Sequence, residues 1–208
     1  LNLTIVIRDI CELTEEILKN LKSGTVKYEI ILVESPIFSY STCDLADKYG
    51  CFHLVVEQSY SMKMFEALES IYRGEVIAFI DNDVLPCDGW IDEAYNTHKK
   101  YPNSKFVGGP VNIKTKQANL KEVAKKKWPI QLVNKSVLYN NGTIITSIPT
   151  QVLVHANLSV KAIDFWKLGR QNIRIGKIGQ SDYIGDGCYY IDNEHSIYNE
   201  RMAVTYET

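Results

Sequence analysis

The chain has 208 residues, of which 45% are hydrophobic and 23% charged, as in an ordinary globular protein. This composition excludes a disordered, collagen-like or coiled-coil chain. The formal net charge is −2, so the chain lacks the positive field that nucleic-acid binding requires, and its longest apolar runs are too short for a membrane span.

The first half alternates short apolar runs with segments whose apolar residues recur at helical spacing. This alternation is typical of βαβ units, and it predicts an α/β fold with a doubly wound, mostly parallel central sheet flanked by helices. In chain order we predict a strand at Leu3–Ile7, a helix through 13–21, a strand at Tyr28–Val33, a helix at Ser41–Tyr49, a strand at His53–Val56, a helix through Met62–Tyr72, a strand at Val76–Ile80, a helix capped by Asp88 and a strand starting at Lys105–Val107.

The second half differs in character. A basic helical piece at Leu120–Trp128 is followed by a turn at 140–142. We further predict a strand at Gln151–His155, a short helix at Ala162–Leu168 and a last strand at Ala203–Tyr206. Because no repeat or low-complexity linker interrupts the chain, we expect a single domain, with one half at 1–113 and a smaller half at 114–208.

The cysteines are five in number, widely spaced and without a C-x-x-C pair, which argues against a disulfide framework or a zinc site. Their apolar neighbours suit buried, reduced thiols, so we expect a reducing, cytoplasmic environment. Four N-x-S/T sequons are a weak opposing signal. The cysteines are Cys11, Cys43, Cys51, Cys87 and Cys188.

Two carboxylates, Asp81 and Asp83, follow the predicted strand Val76–Ile80. Ligands of a parallel sheet bind beyond the carboxyl ends of its strands. In an extended segment, residues i and i+2 point the same way, so both side chains could hold one Mg²⁺ or Mn²⁺ ion. The alternative is a solvated acidic turn in which Asp88 caps the next helix.

The segment Gly74–Ile91, with Asp81-Asn82-Asp83 at its centre, resembles the D-x-D region of inverting family 2 glycosyltransferases. Leu3–Asp9 and Tyr28–Pro36 resemble the first two strands of that family, and Ala156–Lys161 resembles its acceptor-side strand. The resemblance implies a GT-A fold, a nucleotide-sugar donor and a divalent metal. It covers most of the chain, and it is specific around residues 74–91 and loose elsewhere.

The resemblance also implies roles for individual residues. Asp83 would bind the metal that bridges the diphosphate, and Asp81 would contact the metal or the donor ribose. Glu34 stands where the family has an Asp that accepts a hydrogen bond from the base. Arg8 and Asp9 lie in the first nucleotide-contacting loop.

The catalytic base of the family is an Asp that opens a helix. The best match is Asp186, with Asp182 as its rival, and Gly185 replaces the usual Glu before the base. On the acceptor side the resemblance points to Asn157 and Trp166, although core packing is the default interpretation for this tryptophan.

Two basic stretches have alternative interpretations. Arg170 and Arg174, with Lys177, could close over the diphosphate, or they could form an ordinary solvated loop. The lysines of the basic helical piece could touch an anionic membrane that carries a lipid-linked acceptor, although a solvated helix face is the stronger interpretation. These lysines are Lys121, Lys125, Lys126 and Lys127.

The expected activity is transfer of a sugar from a UDP- or GDP-sugar to a hydroxyl of a glycan or lipid-linked acceptor, with inversion, in cell-surface polysaccharide synthesis. We expect a cytoplasmic enzyme, or one peripheral at the inner face of the membrane. A dehydrogenase would need G-x-G-x-x-G after the first strand, and a Walker-type hydrolase would need G-x-x-x-x-G-K-[ST]; neither is present. The alternative is a degenerate, non-catalytic GT-A domain that binds nucleotide, sugar or a protein partner.

Overall fold

The computed structural model describes residues 1–36, 42–57, 62–109, 111–114, 145–146, 151–154, 157–165, 188–191, 196–199 and 201–207. The helices of this part are α1 (Thr14–Asn20), α2 (Thr42–Tyr49), α3 (Met62–Ile71) and α4 (Trp90–Lys100), and residues 162–165 form a further helical turn. The strands are β1 (Leu3–Arg8), β2 (Tyr28–Glu34), β3 (Phe52–Val55), β4 (Val76–Asp81), β5 (Val84–Pro86), β6 (Phe106–Gly108), β7 (Val111–Lys114), β8 (Ile145–Thr146), β9 (Gln151–Val154), β10 (Asn157–Lys161), β11 (Cys188–Ile191), β12 (Ser196–Tyr198) and β13 (Val204–Glu207).

The central sheet has the strand order β3-β2-β1-β4-β10-β6-β12-β8. Of the eight strands described in it, six run in one direction, while β10 and β8 run against them. The chain moves outward from β1 to β2 and β3 and then returns to place β4 on the other side of β1. The order of the strands therefore reverses between β1 and β4, which is where open α/β sheets form their ligand crevice.

Two smaller sheets accompany the central one. In the first, β13 pairs with β5 antiparallel and with β7 parallel. In the second, β9 pairs with β11 antiparallel. The last described strand, β13, therefore pairs with β5, the strand that follows β4 in the chain.

Apolar side chains cover both faces of the sheet, because successive residues of a strand point to opposite faces. On one face, Ile5, Ile7 and Ile80 pack with residues of α1, α2 and α4. On the other face, Val6, Ile77 and Phe79 pack with residues of α3 and with Phe165, whose ring centroid lies 5.8 Å from that of Phe79. A sheet buried on both faces explains why the strands of the first half are continuous apolar runs.

Most predicted elements of the first half are confirmed to within a few residues. The N-cap of α4, however, is Gly89, which has a φ of 76° and no capping side chain, so the prediction that Asp88 caps this helix is wrong. Gly89 takes the left-handed conformation that suits a residue without a Cβ.

The segment Cys188–Ile191 is a strand, whereas the choice of Asp186 as an Asp that opens a helix predicts that this apolar stretch buries one face of a helix. Its four residues pair with β9, and the helix prediction failed because so short an apolar run carries no clear periodicity. The basic helical piece Leu120–Trp128 lies outside the described residues.

A search of the described helices for one long and apolar enough to cross a lipid bilayer finds none.

Candidate functional site

An ion pair joins the carboxyl ends of β1 and β4 at the point where the strand order reverses. Arg8 ends β1 and Asp81 ends β4, and the two residues are direct partners in the parallel register. An Nη2 hydrogen of Arg8 is donated to Oδ1 of Asp81 over 3.1 Å, with side-chain exposures of 4% and 17%. The strands thus deliver two of the predicted site residues to the same crevice.

The loop after β1 contains a residue in the left-handed conformation, Asp9. Asp9 has a φ of 54°, the one non-glycine residue with a positive φ in the described part of the chain. Its N–H donates to the carbonyl of Val33 at 2.9 Å, and its own carbonyl accepts a hydrogen bond from the Asn82 side chain. Cys11 Sγ donates to the carbonyl of Asn82 at 3.0 Å. These bonds tie the loop after β1 to the turn after β4.

One carboxylate oxygen of Asp9, Oδ1, is buried and accepts no hydrogen bond from the described residues. A buried polar atom without a partner costs free energy, and such atoms are rare in folded proteins. A ligand with a hydroxyl or amine donor could satisfy this oxygen, which supports a binding role for the loop.

The geometry of the Asp81–Asp83 pair differs from the prediction. Strand β4 ends at Asp81, and Asn82 and Asp83 form a turn before β5, so the two carboxylates do not share one extended segment. They remain electrostatically coupled. The pKa of Asp83 is raised to about 6, first because burial removes water from its carboxylate and then because of the negative charge of Asp81. The Asp83 side chain is nevertheless exposed at the turn, where the charge of Asp81 acts on it.

The donor set fits a hard divalent cation. Two oxygen-bearing carboxylates that repel each other are stabilised when a cation lies between them, and Mg²⁺ is commonly bound by one or two carboxylates plus substrate phosphates. Within the described ranges there is no group of three or more His, Cys, Asp or Glu side chains that could hold a metal ion without such help. Asp81 and Asp83 would therefore bind the ion together with a phosphate ligand.

Glu34 ends β2, next to β1 in the sheet, and is buried with an exposed fraction of 8%. Its carboxylate lies 2.9 Å from Nε2 of His53, a residue of the edge strand β3. Sequence spacing predicts only that His53 belongs to a strand, because the register that brings β3 beside β2 is not visible in the sequence. Nor does the sequence predict the hydrogen bond that the Asn82 side chain donates to the carbonyl of Asp9.

Asn157 begins β10 and is buried among hydrogen-bond partners. It is 1% exposed, its side-chain oxygen accepts a hydrogen bond from Trp90 Nε1 at 2.9 Å, and its side-chain nitrogen donates to the carbonyl of Met202 at 2.6 Å. These bonds link β10 to α4 and to the loop before β13, and the acceptor role of Asn157 stays a prediction. Trp90 is buried as expected for a core tryptophan.

Several predicted site residues lie outside the described residues. These are the base candidates Asp186 and Asp182, the acceptor-side Trp166, the cationic Arg170, Arg174 and Lys177, and the lysines Lys121, Lys125, Lys126 and Lys127.

No protein-family model matches the sequence, and no curated protein is significantly similar to it. Solved structures do match. TarS of S. aureus (residues 1–349) superposes with a TM-score of 0.60 at 11% identity, covering 99% of this chain and 60% of the TarS chain. The same TarS fragment in complex with UDP gives a TM-score of 0.58 at 10% identity.

A third match is glucosyl-3-phosphoglycerate synthase of Mycobacterium tuberculosis, in complex with Mn²⁺, UDP and glucosyl-3-phosphoglycerate. Its TM-score is 0.50 at 13% identity, covering 77% of this chain and 56% of that chain. The chain thus spans 60% of the TarS 1–349 fragment, 37% of a longer TarS chain and 56% of the synthase chain, less than two-thirds of each. The likeness shows the fold: the chain has the GT-A glycosyltransferase fold that the sequence resemblance predicted.

Proposed function

We propose that this chain is a metal-dependent, inverting glycosyltransferase of the family 2 type that uses a nucleotide-diphosphate-sugar donor. The observation that carries the proposal is the meeting of Arg8, Asp81 and Asp83 at the reversal point of a GT-A sheet. The presence of UDP in one structural neighbour and of Mn²⁺ and UDP in another supports a UDP-sugar as donor, with a GDP-sugar as the alternative.

The metal side of the site rests on Asp83 and Asp81. A bound Mn²⁺ or Mg²⁺ would act as a Lewis acid that neutralises the charge on the leaving diphosphate. The ion pair with Arg8 holds the Asp81 carboxylate in position, since the Arg8 side chain is almost fully buried. Asp83, at the exposed tip of the turn, presents its carboxylate to the incoming phosphates.

The nucleoside side of the site rests on Asp9 and Glu34. The buried Oδ1 of Asp9 can accept a hydrogen bond from a donor group of the nucleoside. Glu34 ends the neighbouring strand, and we propose that it accepts a hydrogen bond from the base. Replacement by Ala should weaken nucleotide binding and blur the preference among bases. Equal affinities for a panel of diphosphates before and after the change would contradict this role.

The acceptor side requires a general base, because a sugar hydroxyl has a pKa far above 7 and must lose its proton as it attacks. We propose Asp186 for this role, with Asp182 as the rival. Since Cys188–Ile191 is a strand, Asp186 precedes a strand rather than a helix, and its assignment depends on the family resemblance alone. The acceptor is a hydroxyl of a glycan or lipid-linked molecule, and Arg170, Arg174 and Trp166 are further candidates for ligand contact.

The first experiment is a thermal-shift measurement with UDP and GDP, each with and without Mn²⁺. A ligand that binds only the folded state raises the melting temperature. We expect a Mn²⁺-dependent rise for the wild type and none for Asp83→Asn. The matched control is Asp88→Asn, which removes an exposed carboxylate five residues further along and should leave the rise unchanged. An equal rise in the Asp83→Asn variant would overturn the metal assignment.

The second experiment separates the enzyme from the non-catalytic alternative. We expect slow Mn²⁺-dependent hydrolysis of a UDP-sugar, and a loss of about 100-fold or more in transfer for Asp186→Asn at nearly constant donor affinity. An inactive Asp182→Asn beside a fully active Asp186→Asn would show that the rival is the base. Nucleotide binding without hydrolysis or transfer would favour the degenerate domain.

A further inference from the structure

A chain of three side chains runs from the surface to the end of β2, and it involves a cysteine that the sequence had placed among buried thiols. Cys43 lies in the first turn of α2 and is exposed. Its Sγ is 3.3 Å from Nδ1 of His53, and Nε2 of the same ring is 2.9 Å from Oε2 of Glu34.

A single tautomer of His53 satisfies both contacts. A carboxylate only accepts hydrogen bonds, so Nε2 carries the proton and donates it to Glu34. Nδ1 is then an acceptor, and it faces the thiol of Cys43. Glu34 has an exposed side-chain fraction of 11% and His53 one of 19%, so the surrounding protein holds the ring and fixes this orientation.

The arrangement is that of an activated thiol. Thiolates, not thiols, are the nucleophiles, and a histidine that can take the proton raises the thiolate fraction at neutral pH. The resulting imidazolium would be stabilised by the Glu34 carboxylate.

We infer that Cys43 is a covalent modification site that reacts with disulfides of low molecular weight. In the reaction the Cys43 proton moves to Nδ1 of His53, and the thiolate attacks one sulfur of the disulfide. A new S–S bond forms to Cys43 while the old one breaks, and the departing half leaves as a thiolate. Cys43 is oxidised and one half of the disulfide is reduced, so no further oxidant is needed. This inference does not depend on donor binding.

The other cysteines with described side chains provide internal controls. Cys11, Cys51 and Cys87 are each partly buried, and burial raises the pKa of Cys51 to about 11. Among the described residues, only Cys43 is both exposed and within reach of a histidine nitrogen. The difference in reactivity can therefore be measured within one protein molecule.

The test is the rate at which each cysteine forms a mixed disulfide with oxidised glutathione, measured by peptide mass spectrometry at neutral pH. Each rate is divided by the rate of the same cysteine in the urea-unfolded protein, which removes intrinsic differences between peptides. We expect Cys43 to react at least about 10-fold faster in the folded protein than when unfolded, and the three control cysteines to react more slowly.

Variants distinguish activation from simple exposure. His53→Gln keeps a polar side chain but cannot accept the proton, and it should reduce the normalised rate of Cys43 about 10-fold. Glu34→Gln should reduce it by a smaller factor. Lys48→Gln, on the same helix but outside the chain of contacts, should leave the rate unchanged. A normalised rate near 1 for wild-type Cys43, or an unchanged rate in a folded His53→Gln variant, would overturn the proposal.

Discussion

Polar clusters lie at both ends of the parallel strands, here called the amino edge and the carboxyl edge. The two clusters contain similar residue types but differ in how fully their carboxylates are hydrogen-bonded. At the amino edge, the buried carboxylate of Glu29 accepts hydrogen bonds from Thr4 Oγ1 at 2.7 Å, from the Arg73 N–H at 2.7 Å and from Arg73 Nε at 2.9 Å. Arg73 Nη2 adds an ion-pair contact at 2.8 Å, and the N–H of Gly74 donates to Thr4 Oγ1 at 2.9 Å. Both oxygens of the Glu29 carboxylate are therefore hydrogen-bonded to other groups of the protein.

The carboxyl edge is built from the same strands but leaves polar groups available. Asp9 has a buried oxygen that accepts nothing from the described residues, and Asp83 has a pKa raised by burial and by the like charge of Asp81. Groups that other protein atoms satisfy stabilise a fold, whereas incompletely satisfied groups at a crevice are positioned for a ligand. The comparison therefore separates a structural cluster from a candidate binding site on one sheet.

The largest expected effect is that of removing Arg8 at the carboxyl edge. Arg8→Met leaves Asp81 without its buried counter-charge, which should lower the free energy of unfolding by about 4 kcal/mol. The double variant Arg8→Met/Asp81→Asn should recover most of this stability but should not bind UDP in the presence of Mn²⁺. Urea unfolding and calorimetric titration measure the two quantities, and a double variant that binds UDP normally would break the comparison.

The corresponding change at the amino edge is Glu29→Gln. In the wild type, three hydrogen-bond donors point at the Glu29 carboxylate. In the variant, the amide N–H group would face some of these donors, so the free energy of unfolding should fall by about 3 kcal/mol. Affinity for UDP should stay within about twofold of the wild type, because the cluster lies at the opposite ends of the strands. A large loss of affinity with little loss of stability would mean that the amino edge also serves the ligand.

Gly74→Ala sharpens the account of the amino edge. A Cβ at this position would lie 2.4 Å from the backbone nitrogen of Thr4, and that backbone is fixed within β1. The expected cost is about 2 kcal/mol in unfolding free energy. Gly50→Ala is the control: its φ is +63°, nothing lies within 4 Å of the added carbon, and it should cost about 1 kcal/mol. Equal costs would show that close packing at Gly74 is not the constraint.

The smallest effect concerns a buried histidine outside both clusters, whose two ring nitrogens both have hydrogen-bond partners. His98 is 3% exposed and contacts Ser159 Oγ at 3.1 Å and Ser104 Oγ at 3.3 Å. Burial, with a contribution from the charge of Lys161, lowers the pKa of His98 to about 3. Below pH 6.5 His98 binds a proton in the unfolded chain but stays neutral in the folded protein. The free energy of unfolding therefore falls as the pH falls from 6.5 towards 3.

At pH 5.5 this group should cost about 1.4 kcal/mol relative to pH 8. The measurement is the difference in unfolding free energy between wild type and His98→Gln at the two pH values, since other titrating groups then cancel. If the two proteins show the same pH dependence, the folded protein protonates His98 and the buried network is not closed.

The fold class could be predicted without coordinates, because fully buried strands and amphipathic helices leave direct signals in the spacing of apolar residues. Asp81 and Asp83 were found for the same reason, since they directly follow the apolar run of β4. The spacing of apolar residues failed, however, to predict the secondary structure of one short segment. The four apolar residues at Cys188–Ile191 were predicted to bury one face of a helix, but they form a strand that pairs with β9.

Which polar residues contact one another could not be predicted from apolar spacing. The Arg8–Asp81 ion pair joins residues 73 positions apart, the Glu34–His53 contact depends on the register of β3 against β2, and Asn157 became a buried link to Trp90. Apolar spacing records how much of each side chain is buried, but not its partner. Partners are fixed by strand order and register, which arise when distant segments pack and which one-dimensional spacing does not encode.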